Sequence, residues 1–224
     1  MKKIICMVLT VSVFSSGLFA KTWSNNVGVG ASFPYSVYDI DDNNADEVAQ
    51  RSYGLEGFYL GVHENGFTVK GVFDCGLATS KDIKVQDFDK NLGMYFNGSV
   101  GAGYSFINTE KTLFGFTAMV GYNADVYIDV DNKDVAGVKH ELTTTLAMVT
   151  ANIGADLFVR QKISDCFGFY VNTSVRYVIG GVAVTETKDE YKEAGADCKV
   201  EDDEKNLIFG NYTIKPSIGF TWTF

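Results

Sequence analysis

The feature that most constrains this chain is an alternation of bulky apolar and small polar side chains with a period of two, which returns eight times between Val27 and Phe224. That period belongs to the β-strand, where successive side chains point to opposite faces. Val27, Val29, Ala31, Phe33 and Tyr35 share one face, against Gly28, Gly30, Ser32 and Pro34. The second segment, from about Tyr53 to Val62, sets Phe58, Leu60 and Val62 against Gly57, Tyr59 and Gly61. Glu56 falls there on the apolar side, so either a bulge shifts the phase or Glu56 stands at a rim. The third opposes Phe67, Val69, Phe73, Cys75 and Leu77 to Thr68, Lys70, Val72, Asp74 and Gly76. The pattern repeats over Leu92–Phe106, Phe114–Val126, Ala147–Val159, Phe167–Ile179 and finally Leu207–Phe224.

The connections alternate in length. H-E-N-G at His63–Gly66, N-T-E-K-T at Asn108–Thr112 and Q-K-I-S-D-C at Gln161–Cys166 are short, and the first offers the Asn-Gly pair of a type I′ hairpin turn. The polar run after Tyr38, T-S-K-D-I-K-V-Q-D-F-D-K-N, residues 127–144 and residues 182–206 are long. In an antiparallel meander the long connections gather at one end, the asymmetry of outer-membrane barrels. The face opposite the aromatics is mostly Gly, Ser, Thr, Asn and Tyr, with most Lys and Glu held in the connections. A water-exposed wall would carry that charge itself, so the small polar face reads as a packed interior and the bulky face as lipid-contacting. The expected fold is all-β, a closed eight-stranded antiparallel up-and-down transmembrane β-barrel.

Residues 1–20 have Lys2 and Lys3, an apolar run and a small residue at Ala20, the layout of a cleaved secretory signal peptide. The barrel domain is expected to span 21–224. Removing the two lysines takes the net charge from −9 to −11, which argues against a nucleic-acid partner. Beyond Ala20 no apolar run is long enough for a spanning helix. Aromatics at 14%, 23 glycines and two prolines suit strands that are apolar on one side only. Cys75, Cys166 and Cys198 remain after cleavage, an odd number without zinc-site spacing, and all three are expected to be free thiols.

The ending Ser217-x-Gly219-x-x-Trp222-x-Phe224 resembles the C-terminal assembly signal of bacterial outer-membrane barrels. Together with the signal-peptide layout and eight strands, residues 21–224 resemble the small outer-membrane barrels of the OmpW, OmpX and opacity types. The resemblance implies the barrel-assembly machinery and outer-membrane lipid as partners, and the bacterial outer membrane as the location. OmpW-type relatives further imply a sideways route for small apolar solutes. Nothing in the sequence marks such an opening: Pro34 and Pro216 lack a backbone donor and could each loosen a strand ladder, but such prolines more often mark a tolerated irregularity at the seam of the first and last strands.

Seven charged side chains fall on the inward face: Lys70, Arg160, Arg176 and Lys215 against Asp74, Asp125 and Asp156. Desolvated ions need partners, so these are expected to form a salt-bridged network with Tyr59, Tyr95 and Tyr170 packed above inward glycines; a polar pore is the alternative. His140 with Asp129, Asp131 and Asp134 nearby is the sole candidate for rim chemistry, and one histidine in an acidic segment reads as solvated surface. Asp39-x-Asp41-x-Asn43 and Asp129-x-Asp131 begin like calcium loops but lack the Gly and Glu that such loops require. Gly98-x-x-Gly101-x-Gly103 lies in a strand and is no nucleotide loop. No catalytic residue, metal or cofactor is assigned. The expected role is structural or surface-interacting, through acidic extracellular connections at 37–51 and 182–206 that meet an extracellular ligand or host surface. The alternative is a narrow channel for small polar or hydrophobic solutes.

Overall fold

The computed structural model describes residues 22–39, 47–81, 92–135, 138–191, 204–208 and 211–224. Within them every regular element is a strand: β1 (Trp23–Ser32), β2 (Tyr35–Asp39), β3 (Glu47–His63), β4 (Phe67–Lys81), β5 (Leu92–Asn108), β6 (Thr112–Val135), β7 (Val138–Lys162), β8 (Phe167–Tyr191), β9 (Glu204–Ile208) and β10 (Tyr212–Thr223). The β1 and β2 strands lie end to end against β3 and form one stave, and β9 and β10 do the same against β8. Neighbours are antiparallel throughout. The first stave pairs with the last, from Asn26 opposite Thr223 to Ser32 opposite Ser217, which closes eight staves into a barrel. Closure leaves no unpaired sheet edge around the wall.

Alternation decides the faces as the sequence predicts along most staves. Val29, Phe73, Val120, Leu157, Val175 and Phe220 point outward, while Asn26, Asp74, Thr117, Asp156 and Ser174 are buried inside. Thr22, Phe224 and the three short turns share one end, where Glu64 N donates to Thr22 O at 2.8 Å and Thr223 N to Cys166 O at 2.8 Å. Aromatic rings gather on the outer surface of this turn end. Phe167 lies 5.4 Å from Phe220 and 5.8 Å from Trp222, and Phe106 lies 5.6 Å from Phe116 and 6.0 Å from Phe114. Such a ring of aromatic side chains marks the level of a membrane interface.

Three expectations are corrected. In β3 the ladder with β4 runs without a break from Ala49 opposite Lys81 to Val62 opposite Thr68, so there is no bulge, and Glu56 is at no rim. Glu56, Phe58, Leu60 and Val62 all face the lumen and Tyr59 faces out. Phe58 fits because Gly28 makes room for it: a Cβ there would collide with the Phe58 ring. Burial of apolar bulk inside a narrow barrel, not contact with lipid, sets this phase.

The first hairpin turn is also different. Gly66 N donates to His63 O at 2.9 Å and Gly66 has φ of 91°, so Glu64 and Asn65 are the central residues and the glycine follows in the left-handed region. That is the three-residue hairpin closed by a glycine bulge, not a type I′ turn centred on Asn-Gly.

Lastly, segments read as long connections are largely strand. The β6 strand continues to Val135 and β7 resumes at Val138, paired rung by rung through Tyr127–Leu146 to Val135–Val138. The β8 strand follows β7 as far as Tyr191 opposite His140. Much of 37–51 and 182–206 is likewise strand, within β2, β3, β8 and β9. Ile128, Val130, Val138, Thr143, Thr144, Thr145, Val184 and Thr187 keep these stretches β-forming after the lipid-facing pattern has ended. Polarity there does not mark the end of the strand.

Candidate functional site in the barrel lumen

Along the axis the described lumen is layered. Next to the turn end, Phe58, Leu60, Val62, Val72, Leu113, Met119, Phe158 and Tyr170 form one apolar cluster. Toward the opposite, loop end, Ala78, Tyr95, Tyr127, Leu146, Met148, Val178 and Ala183 form a second. Most of the buried charged side chains occupy the level between. An eight-stranded barrel has an interior about as wide as its own side chains, and here it is filled like a protein core.

Eight charged side chains are buried among the described residues, each at most 3% exposed: Lys70, Arg160, Arg176 and Lys215 against Glu56, Asp74, Asp125 and Asp156. Two knots hold most of them. In one, Lys70 of β4 pairs with Asp156 of β7, Arg176 Nη1 of β8 lies 2.5 Å from Asp156 Oδ1, and Lys70 Nζ also donates to Asn172 Oδ1 at 2.9 Å. In the other, Lys215 of β10 pairs with Asp74 of β4, and its Nζ lies 3.0 Å from Glu56 Oε2 of β3. Ser217 Oγ donates to Glu56 Oε1 at 3.1 Å. Both knots join staves that are not neighbours in the wall, so they cross the lumen. Desolvating either partner alone costs several kcal/mol, and mutual pairing is what makes their burial tolerable.

The remaining predicted residues divide. Asp125 Oδ1 accepts from Gln50 Nε2 at 2.8 Å near the loop end. Arg160 turns toward the opposite mouth, where its Nη1 donates to Glu110 O at 3.2 Å and Lys111 O at 3.4 Å. Tyr95 shares a 2.9 Å hydrogen bond with Ser32 Oγ, and Tyr170 stacks on Phe58 at 3.9 Å with Lys70 Nζ 5.4 Å from its ring centre. Tyr59 does not belong to this set. It lies on the outer wall and donates to Asn25 Oδ1 at 2.7 Å. Of the terminal motif, Ser217 is inside, Gly219 pairs with Gly30 at the seam, and Trp222 and Phe224 are exposed outside. Cys198, Asp41 and Asn43 lie outside the described residues, as do the side chains of Asp39, Asp129, Asp131, Asp134 and His140.

Sequence reasoning missed Glu56 as a lumen residue, although two signals marked it. It broke the apolar face of its strand, and the seven inward charges left one cation without a carboxylate. Gln50 and Phe58 carried no comparable signal.

A scan against protein-family models finds no match to the chain, and a sequence search of curated proteins finds none either. Solved structures do match in shape. A major outer membrane protein from Thermus thermophilus aligns with a TM-score of 0.52 at 10% identity, covering 88% of this chain and 99% of that one. Neisserial surface protein A aligns at 0.50 and 8% identity, covering 89% and 97%. Ail of Yersinia pestis, solved with the heparin analogue sucrose octasulfate, aligns at 0.46 and 13% identity, covering 91% and 99%. The strand topology and the first two alignments make the fold that of the bacterial outer-membrane β-barrels: all-β, antiparallel, closed and eight-stranded.

Proposed function

We propose that this chain is a bacterial outer-membrane barrel with a closed lumen, which works at the cell surface and not as a channel. The carrying observation is the pair of ion knots that cross the lumen, Lys70–Asp156–Arg176 and Lys215 with Glu56 and Asp74, between two apolar layers. Solvated ions entering such an interior would have to displace bonded charges and dry side chains. The lipid-facing apolar wall and its aromatic belt support the location, as does the signal-peptide layout of residues 1–20. The Ser217, Gly219, Trp222 and Phe224 motif supports recognition by the barrel-assembly machinery. Catalysis is not part of this reading.

The working surface is the part of β6, β7 and β8 that rises past the other described strands. The last β5–β6 rung is Gly93–Tyr127 and the last β8–β9 rung is Thr185–Glu204, yet β6–β7 pairing continues to Val135–Val138. At about 3.3 Å per residue the extension of β6 runs roughly 25 Å. This blade and the neighbouring stretches at 37–51 and 182–206 are where an extracellular ligand or host surface docks. The test is twofold. Purified protein in planar bilayers is expected to give no stable conductance steps, and cells expressing it are expected to bind surfaces through the blade. Steady ion conductance by the intact protein would overturn the reading.

A further inference from the structure

Two consecutive rungs among the described residues each lack a backbone donor, and they lie at the seam of the first and last staves. The first stave is interrupted between Ser32 and Tyr35. There, Phe33 N donates to Pro216 O at 3.0 Å, but residue 216 has no N–H to return to Phe33 O. One residue on, Ser52 N donates to Pro34 O at 2.8 Å, and Pro34 cannot return that bond to Ser52 O. Consecutive residues of one stave thus each lack one ladder bond, Phe33 toward β10 and Pro34 toward β3. In a lipid-facing wall a backbone carbonyl without a donor has no water to turn to.

The side chains behind this stretch reach over it. Ser32 pairs with Ser217 and Tyr35 with Ile214, a register that places Pro34 opposite Lys215. Lys215 bypasses the first stave to reach Glu56 on β3 and Asp74 on β4. Ser217 also bonds Glu56, and Ser32 bonds Tyr95 of β5 across the lumen.

We propose that the Phe33–Pro34 and Lys215–Pro216 seam is the part of the wall that opens, and that the Lys215–Glu56–Asp74 knot is the latch holding it shut from inside. When the latch is intact the first stave is pinned between β3 and β10. When it is broken, the stave parts from its neighbours at the proline rungs, and the lumen there faces the bilayer. The inference concerns the wall alone and does not depend on what binds outside.

Amide hydrogen exchange of the mature chain in lipid nanodiscs tests it. The Phe33 and Ser52 amides are expected to exchange at least ten-fold faster than Val120 in the continuous β6 wall. Lys215→Met is expected to accelerate those two at least ten-fold more while leaving Val120 unchanged; where that variant does not fold, Glu56→Gln serves, with the same direction. Pro34→Val with Pro216→Val, which restores both donors, is expected to slow Phe33 and Ser52 to the rate of Val120. Equal protection of Phe33, Ser52 and Val120 in the parent chain would overturn the hinge. Indifference of Phe33 and Ser52 exchange to both latch variants would overturn the latch.

Discussion

Lys215 and Glu56 are joined across the barrel seam, with Nζ 3.0 Å from Oε2 and the whole first stave running between their strands in the wall. The contact ties the last stave to the second without using the backbone ladder. It also accounts for a carboxylate that alternation alone would place in lipid. Several measurable consequences come from this arrangement and from the layers around it.

Removing one partner of a buried pair leaves the other charged and desolvated, at a cost of about 3–5 kcal/mol. Asp156→Ala is expected to lower the unfolding free energy by that amount in a urea titration of protein refolded into lipid, because Lys70 and Arg176 both lose their anion. A loss below about 1 kcal/mol would mean that these charges are hydrated and the lumen is wet.

Arg176 separates a plug from a pore. If the knot is structural, Arg176→Ala reduces stability and leaves the intact protein as non-conducting as before. Conductance steps in the parent chain whose size or selectivity changes in Arg176→Ala bilayers would refute the closed lumen.

The phase of β3 is open to direct inspection. Single cysteines at 58 and 59, carrying a fluorophore, are expected to differ sharply with spin-labelled lipid: strong quenching at 59 and little at 58. Phe58→Ala is also expected to cost about 3–5 kcal/mol, since it empties a packed site against Tyr170. The opposite quenching pattern would restore the lipid-facing assignment of Phe58.

Shortening the blade separates anchor from working surface. Replacing residues 129–142 by a two-residue turn preserves the rungs from Ile128–Thr145 downward. The trimmed protein is expected to keep the heat-modifiable gel mobility of a folded barrel and its parent melting temperature within a few degrees, while surface binding by expressing cells falls to background. Undiminished binding would move the working surface elsewhere.

The number of staves, their direction and the outward placement of residues such as Phe96, Phe116 and Ile218 were legible because lipid and lumen impose opposite chemistry on alternate positions. Legibility failed where the two environments resemble each other. Phe58, Leu60 and Val62 fill a dry interior, so their apolarity says nothing about which side they occupy. It failed again past Tyr127, where the apolar alternation lapses in the sequence while the strand continues. The lumen charges were found one by one, but not their partners. Which staves face each other across a cylinder depends on tilt and shear, and neither is written in a local pattern. Lys70 therefore gave no sign that its anion would come from β7, 86 residues away.

Lys215 belongs to the stave that is made last, and its two carboxylates belong to staves made early. Glu56 and Asp74 stand opposite each other on β3 and β4, so the ladder itself brings two like charges together in the lumen, and Lys215 is the cation that pairs with both. The closing stave is therefore clasped twice, once by its backbone rungs to the first stave and once by a single ammonium that neutralises the carboxylate pair held by the second and third.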